Sequence, residues 1–340
     1  MRTLFLLLFL TATTFAQSTA LRDEARNFTS EGKFDKAAVL YENATASNPK
    51  DSSSWTNLSW CYLELKRYQE AANTARKAIS LDQTSPYAHN NLGYALIMLE
   101  QYEAALEPLR TSIKLNDSYE KSRGNLITAL IKLDRDADAV TELRSVIAVY
   151  PKKITFRQQL VGIQLKNEWF IEAIRDLEEL IRLEPFRANN FSMLGVSYAS
   201  TGQPAKALEA FRQAAILEPD SSNHLRNFAF ALSMEGKESE AITVFQQILA
   251  KNPKDFDAAF GVATRYSTLG QLDEALNFGR RALELRPDSG QAMMLVAMAF
   301  VSKGDKEAAR QYLPKLKELN PQNALILEKM LAKPEKTPGN

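Results

Sequence analysis

The sequence predicts an all-α fold built from nine repeats, and two spacings lead to that prediction. Prolines recur on a lattice of 34 residues, at Pro49, Pro151, Pro185, Pro219, Pro253, Pro287 and Pro321. Gln83 and Asp117 occupy the two lattice points that lack a proline. An alanine stands twelve residues before every lattice point, at Ala37, Ala71, Ala105, Ala139, Ala173, Ala207, Ala241, Ala275 and Ala309. A fixed period of this length indicates structural repeats that stack on one another.

Each repeat is predicted to contain two helices joined by a turn. Counted from residue 18, the units are 18–51, 52–85, 86–119, 120–153, 154–187, 188–221, 222–255, 256–289 and 290–323. Repeat positions 7 and 11 are mostly apolar, as at Leu58 and Tyr62, and share one face of the first helix. A glycine between the helices, as at Gly32, supplies the positive φ that ends the first helix. The lattice proline ends the second helix, because it lacks a backbone N–H and disfavours helical geometry in the preceding residue.

Small residues and further prolines predict the local geometry of the helix pairs. Repeat position 8 is small in most units, as at Gly93 and Gly195, and we expect it to face the alanine at position 20. Small side chains at both places allow the two helices of a unit to approach closely. Pro108 and Pro314 fall inside predicted second helices, where each removes a hydrogen bond at a cost of about 3 kcal/mol or introduces a kink.

The 34-residue period, with its alanine and its closing proline, resembles the tetratricopeptide repeat (TPR). That repeat has the pattern W-x2-L-G-x2-Y, then A-x3-F, then P, and the nine units cover most of this chain. The resemblance implies a right-handed superhelical solenoid of antiparallel helix pairs. It also implies that the first helix of each unit lines the concave surface with repeat positions 2, 5, 6, 9, 12 and 13. Proteins of this kind bind peptide or protein segments on that surface.

Both ends of the chain carry their own predictions. Residues 1–16 contain Arg2 and then an apolar run from Leu4 to Leu10, which is too short for the roughly 20 residues that span a bilayer. We interpret them as a cleavable signal peptide rather than a membrane anchor, with cleavage after Ala16. The mature protein is then periplasmic or secreted and keeps no membrane span. Residues 324–333 are predicted to form a C-terminal capping helix, because stacked repeats need their last apolar face covered, and 334–340 a disordered tail.

The residues that usually carry catalysis or bind metals are scarce in this sequence. The two histidines, His89 and His224, lie four repeats apart, which argues against a zinc site. The single cysteine, Cys61, excludes an intrachain disulfide and is expected to be buried. Because 42 Lys and Arg balance 41 Asp and Glu, the charge does not favour a nucleic-acid partner. We therefore expect no enzyme activity, no cofactor and no metal.

The candidate binding residues are those that the resemblance places on the concave surface. One set consists of asparagines at repeat position 6 with aromatic residues beside them: Asn57, Trp60, Tyr87, Asn91, Tyr94 and Asn125. A second, more apolar set lies further along the chain: Asn227, Phe230, Met234, Phe260, Met294 and Met298. Asparagine amides can pair with a peptide backbone whatever its sequence, because each offers a donor and an acceptor. The alternative is that these amides bond to a neighbouring repeat, and that some of the apolar residues are ordinary core.

The sequence thus predicts an exported, non-enzymatic scaffold that binds protein or peptide segments in a concave groove, in the assembly of an envelope or secretion complex. The alternative is a regulatory or substrate-presenting subunit of a cell-wall or polysaccharide enzyme system. The sequence does not separate these two functions.

Overall fold

The computed structural model describes residues 17–118 and 120–332, and every regular element within them is a helix. This confirms the predicted all-α fold of consecutive helix pairs. The predicted signal peptide and the predicted tail lie outside the described residues. Within the described ranges, the helices are all too short or too polar to cross a membrane.

The chain divides into two units, and the first comprises residues 1–163. Its helices are α1 (17–30), α2 (Phe34–Ser47), α3 (Ser52–Glu64), α4 (Tyr68–Leu81), α5 (Pro86–Met98), α6 (Tyr102–Leu115), α7 (Glu120–Lys132) and α8 (Asp136–Val149). Helix α9 (Ile154–Lys166) continues past the unit boundary. From α2 to α8 each helix packs on the next, so the sequence neighbours are also neighbours in space.

The second unit comprises residues 164–340. Its helices are α10 (Phe170–Leu183), α11 (Ala188–Ser200), α12 (Pro204–Leu217), α13 (Ser222–Met234), α14 (Glu238–Lys251), α15 (Phe256–Thr268), α16 (Leu272–Leu285), α17 (Gly290–Ser302), α18 (Lys306–Arg310), α19 (Leu313–Leu319) and α20 (Pro321–Ala332). From α10 to α18 each helix packs on the next, and α19 packs on α20. Helix α20 lies where the sequence predicts the capping helix, and it buries Leu327 and Leu331 against the core around Val296 and Leu316.

The recurring alanine at repeat position 20 is buried in every unit, with at most 1% of its surface exposed. The small residue at position 8 has a different close neighbour from the one we expected. A Cβ added to Gly93 would lie 2.4 Å from Cγ of Leu109, and one added to Gly195 would lie 2.7 Å from Cδ1 of Phe211. In these two units position 8 is therefore small because a bulky side chain at position 24 packs over it.

The turns between paired helices share one backbone conformation. Gly32, Gly202, Gly236, Gly270 and Gly304 have φ values from 70° to 85°, as the sequence predicts. The equivalent residues of the repeats without this glycine also have positive φ, from 53° to 59°: Lys66, Glu100, Asp134 and Glu168. The turn geometry thus persists where glycine is absent, at the steric cost of a side chain in the left-handed region.

The two prolines inside predicted second helices have different outcomes. Helix α6 continues through Pro108. At Pro314 the predicted helix is divided into α18 and α19, and the proline lies in the first turn of α19. Proline is tolerated in a first turn, because the N–H that it lacks has no helical partner there.

Candidate functional site

Three first helices of the first unit, α3, α5 and α7, together with Phe156 of α9, line a groove with a volume of about 760 Å³. Its lining residues are Thr56, Asn57, Trp60, Leu63, Glu64, Tyr87, Asn90, Asn91, Tyr94, Glu120, Lys121, Gly124, Asn125 and Phe156. All six residues of the first predicted set are among them. The structure brings them together because a 34-residue period returns equivalent helix positions to the same face of successive repeats.

Trp60 is held in a defined orientation on the groove wall. Its indole N–H donates a hydrogen bond of 3.0 Å to Oε1 of Glu64, one helical turn further along α3. The ring of Phe34, from α2, meets it edge to face with the centroids 5.6 Å apart. These two contacts limit the rotamers of Trp60 before any ligand binds.

The two tyrosines of the groove are more open to solvent. Tyr94 occupies the repeat position of Trp60 one unit further along and is 36% exposed, while Tyr87 is 53% exposed. Within the described ranges, the Tyr94 hydroxyl makes no hydrogen bond with the protein. The groove therefore offers aromatic surface on α5 next to the fixed indole on α3.

The asparagines at repeat position 6 do not all have free amides. In the described chain the Asn57 side chain makes no hydrogen bond, and it is half-buried. Asn91 is only 6% exposed, and its Nδ2 donates to the backbone oxygen of Thr56 at 3.1 Å and to Oγ of Ser59 at 2.8 Å. Nδ2 of Asn125 donates to Oδ1 of Asn90 at 3.0 Å. Bonding to a neighbouring repeat, the alternative that the sequence left open, thus applies to Asn91 and Asn125.

A buried polar network extends these contacts between repeats. Oδ1 of Asn90 also accepts a hydrogen bond from Oγ of Ser122 at 3.1 Å, and that hydroxyl lies 2.7 Å from Oγ of Ser112. Ser112 in turn donates to the backbone oxygen of Pro86. Asn90, Ser112 and Ser122 are not among the site residues that the sequence predicts. The feature of the sequence that could have indicated them is a polar side chain at a core-facing position of each of the helices α5, α6 and α7.

Of the second predicted set, two members line one cavity. Met294 and Met298 line a cavity of about 360 Å³ with Thr264 and Leu295, and Met294 itself is buried. The remaining members of the set are not among the residues that line this cavity: Asn227, Phe230, Met234 and Phe260.

Two aromatic residues of that set are engaged in packing. Phe260 stacks on Phe256 with the ring centroids 5.9 Å apart. Phe230 packs edge to face on Phe245. Packing within the second unit thus accounts for part of this set.

Reactive and metal-binding groups do not converge on the groove. Cys61, adjacent to Trp60 in sequence, is fully buried as predicted, and burial raises the pKa of its thiol to about 11. At neutral pH it is therefore a neutral packing residue rather than a nucleophile. Across residues 17–118 and 120–332, His, Cys, Asp and Glu form no group of three or more that is placed to hold a metal ion.

Several solved structures are similar to this chain. The C-terminal part of a TPR repeat-containing protein from Cytophaga hutchinsonii matches with a TM-score of 0.59 and 18% identity, over 71% of this chain and 99% of that one. YrrB, described as a TPR protein with an unusual peptide-binding site, matches with a TM-score of 0.48 and 22% identity, over 54% and 95%. MamA from Desulfovibrio magneticus matches with a TM-score of 0.47 and 21% identity, over 50% and 96%. The Cytophaga match shows the fold.

Family models give the relationship directly. Two models described as tetratricopeptide repeat match residues 28–93 and 168–324, which together make up more than half of the chain. A third, described as a domain of unknown function, matches residues 106–185. No match is found among curated proteins. With these matches and its consecutive helix pairs, the chain belongs to the tetratricopeptide repeat family.

Proposed function

We propose that this protein is a non-enzymatic scaffold that binds an extended polypeptide segment in the groove of α3, α5 and α7. The observation that carries the proposal is a fixed indole next to exposed tyrosine rings in one cavity of about 760 Å³. A volume of this size falls within the range of about 300–1,000 Å³ that is typical of ligand sites.

The groove has the two kinds of group that a peptide requires. Trp60, Tyr87 and Tyr94 supply rigid contact area, and tryptophan and tyrosine are the residues most enriched at binding hot spots. Asn57 has an amide with both donor and acceptor unused by the described protein, and the second N–H of Asn125 is also unused. These polar groups can pair with the backbone of a segment independently of its sequence.

The proposal includes export, with the protein acting in the periplasm or outside the cell in the assembly of an envelope or secretion complex. Its support is the sequence of residues 1–16, with one arginine, a short apolar run and a small residue before Gln17.

The test is selection of binding peptides from a phage-displayed random nonapeptide library on the purified protein. We expect Tyr94→Ala to lower the affinity of the selected peptides without unfolding the protein, because the Tyr94 hydroxyl makes no hydrogen bond within the described ranges that the change could remove. Trp60→Ala is expected to lower the affinity of the selected peptides by about 30-fold, which corresponds to the loss of about 2 kcal/mol that is typical of a hot-spot residue. The control is Phe186→Ala, which removes an aromatic ring that is 85% exposed and lies outside the groove lining. A library that yields no binder, or binders that both groove variants retain at full affinity, would overturn the proposal.

A further inference from the structure

The charges of the groove point to the kind of segment that it selects. Resting on the function proposed above, we propose that the segment carries a basic side chain, arginine in preference to lysine. This side chain lies beside the rings of Trp60 and Tyr94 with its charge against the carboxylate of Glu64.

Three charged residues line the groove, namely Glu64, Glu120 and Lys121. Glu120 is already compensated, because its Oε1 lies 2.8 Å from Nζ of Lys153. Glu64 accepts a hydrogen bond from the Trp60 indole, which is a neutral donor, and has no cation partner within the described ranges. The groove therefore contains one carboxylate whose charge the described protein leaves uncompensated.

The aromatic residues favour a cation at the same place. Trp60 and Glu64 are four residues apart on α3, so the carboxylate lies next to the indole on one face of the helix. A cation over a tryptophan or tyrosine ring is attracted by the π-electrons, and tryptophan is the strongest of the three aromatic partners. A guanidinium can stack on the ring and hydrogen-bond the carboxylate at once, which a lysine ammonium does less well.

The surrounding charges set the end of the groove at which the basic side chain binds. Arg26, which has in the preceding repeat the position of Trp60, is paired with Asp23 at 3.3 Å, and within the described ranges it forms no ion pair with Glu64. Lys121 lies on α7, two repeats from Glu64, and in the described residues it has no ion pair. Its charge repels a second cation at that end. The basic side chain of the segment is therefore assigned to the α3 end.

The experiment uses the same random nonapeptide library and the purified protein. We expect the selected peptides to share an arginine or lysine. We expect Glu64→Gln to lower their affinity about tenfold, which is the effect of losing one hydrogen bond between charged groups. Glutamine keeps an acceptor for the Trp60 indole, so the variant retains the groove. Glu235→Gln is the matched control, because it removes the same charge from an exposed site in the second unit. Peptides remade with glutamine for the basic residue are expected to bind the wild type and Glu64→Gln equally.

The outcomes separate this inference from the function on which it rests. Peptides that lose affinity with Tyr94→Ala but share no basic residue, or that bind Glu64→Gln as tightly as the wild type, overturn the inference and leave the proposed function standing. A library without binders overturns both. An arginine shared by the binders, with a loss in Glu64→Gln and none in Glu235→Gln, supports both.

Discussion

Two asparagines at the same repeat position are predicted to have different roles, and substitution separates them. We expect Asn91→Ala to destabilise the first unit and Asn57→Ala to leave its stability unchanged within about 0.5 kcal/mol, the usual range for a surface change. Asn91 is buried and makes two hydrogen bonds to α3, whereas Asn57 makes none within the described ranges. The repeat position alone predicts the same role for both residues.

The magnitude follows from the two bonds that Asn91 donates. Each is worth about 0.5–1.5 kcal/mol net, so their loss costs about 1–3 kcal/mol. The acceptors remain satisfied, because Oγ of Ser59 donates to the backbone oxygen of Thr56 at 2.7 Å whether or not Asn91 is present. No buried group is left without a partner, and we therefore expect a cost in the lower half of that range, about 1–2 kcal/mol.

Hydrogen exchange of individual helices is the appropriate assay. Repeat arrays often unfold in parts, so a single midpoint can average over units that respond differently. A local loss of 1–2 kcal/mol corresponds to exchange that is about 5- to 30-fold faster in α3 and α5. The matched control is Asn227→Ala, at the same repeat position in the second unit and without a hydrogen bond in the described chain.

The reasoning is refuted if Asn91→Ala and Asn57→Ala show the same protection in α3 and α5. If Asn91→Ala also abolished peptide binding while protection stayed unchanged, its amide would face the ligand. The interpretation in which all three asparagines pair with the backbone of a peptide would then be the better one.

Three further predictions concern the turns, the core and the chain terminus. Lys66→Gly should stabilise the protein by about 1 kcal/mol in denaturant titrations, because Lys66 has a φ of 59° that glycine adopts without strain. Gly270→Ala should destabilise it by a similar amount, because φ is 72° there even though the added Cβ would have open space around it. Ala241→Leu should lower the free energy of unfolding by about 1–3 kcal/mol by overpacking a fully buried helix contact, and an unchanged midpoint would contradict the assigned register. Protein recovered from the exported fraction should begin at Gln17 on N-terminal sequencing, whereas a chain that keeps residues 1–16 would contradict cleavage.

The groove could be predicted from the sequence because the repeat supplies the geometry. Helices that recur every 34 residues present the same positions to the same side, so Trp60 and Tyr94, both at position 9, lie on one surface without any knowledge of their contacts. The same periodicity predicts that all six residues of the first set lie on this surface. It also implies the turn conformation at Lys66, since this residue is the equivalent of the glycines, but a search for glycine alone does not detect it.

The contacts between side chains were beyond the sequence. An asparagine amide can bond to a ligand or to a neighbouring helix, and the choice at Asn91 depends on the presence of Ser59 and Thr56 within 3.1 Å. In the second set, too, the repeat position does not tell whether a side chain faces a ligand or packs against its neighbours. Phe260 stacks on Phe256 within its own helix, and Met294 turns into the core, because neighbouring apolar side chains are available there.

The hydrogen bonds between repeats give the asparagines an indirect part in binding. Asn91 ties α5 to α3, so the helix that carries Tyr94 is held next to the helix that carries Trp60. Asn125 ties α7 to α5 through Asn90 in the same way. A groove that is ordered before the peptide arrives avoids part of the entropy cost of binding. The amides of Asn91 and Asn125 thus support the proposed site by fixing the spacing of the helices that carry its aromatic residues, while the amide of Asn57 stays available to the backbone of the peptide.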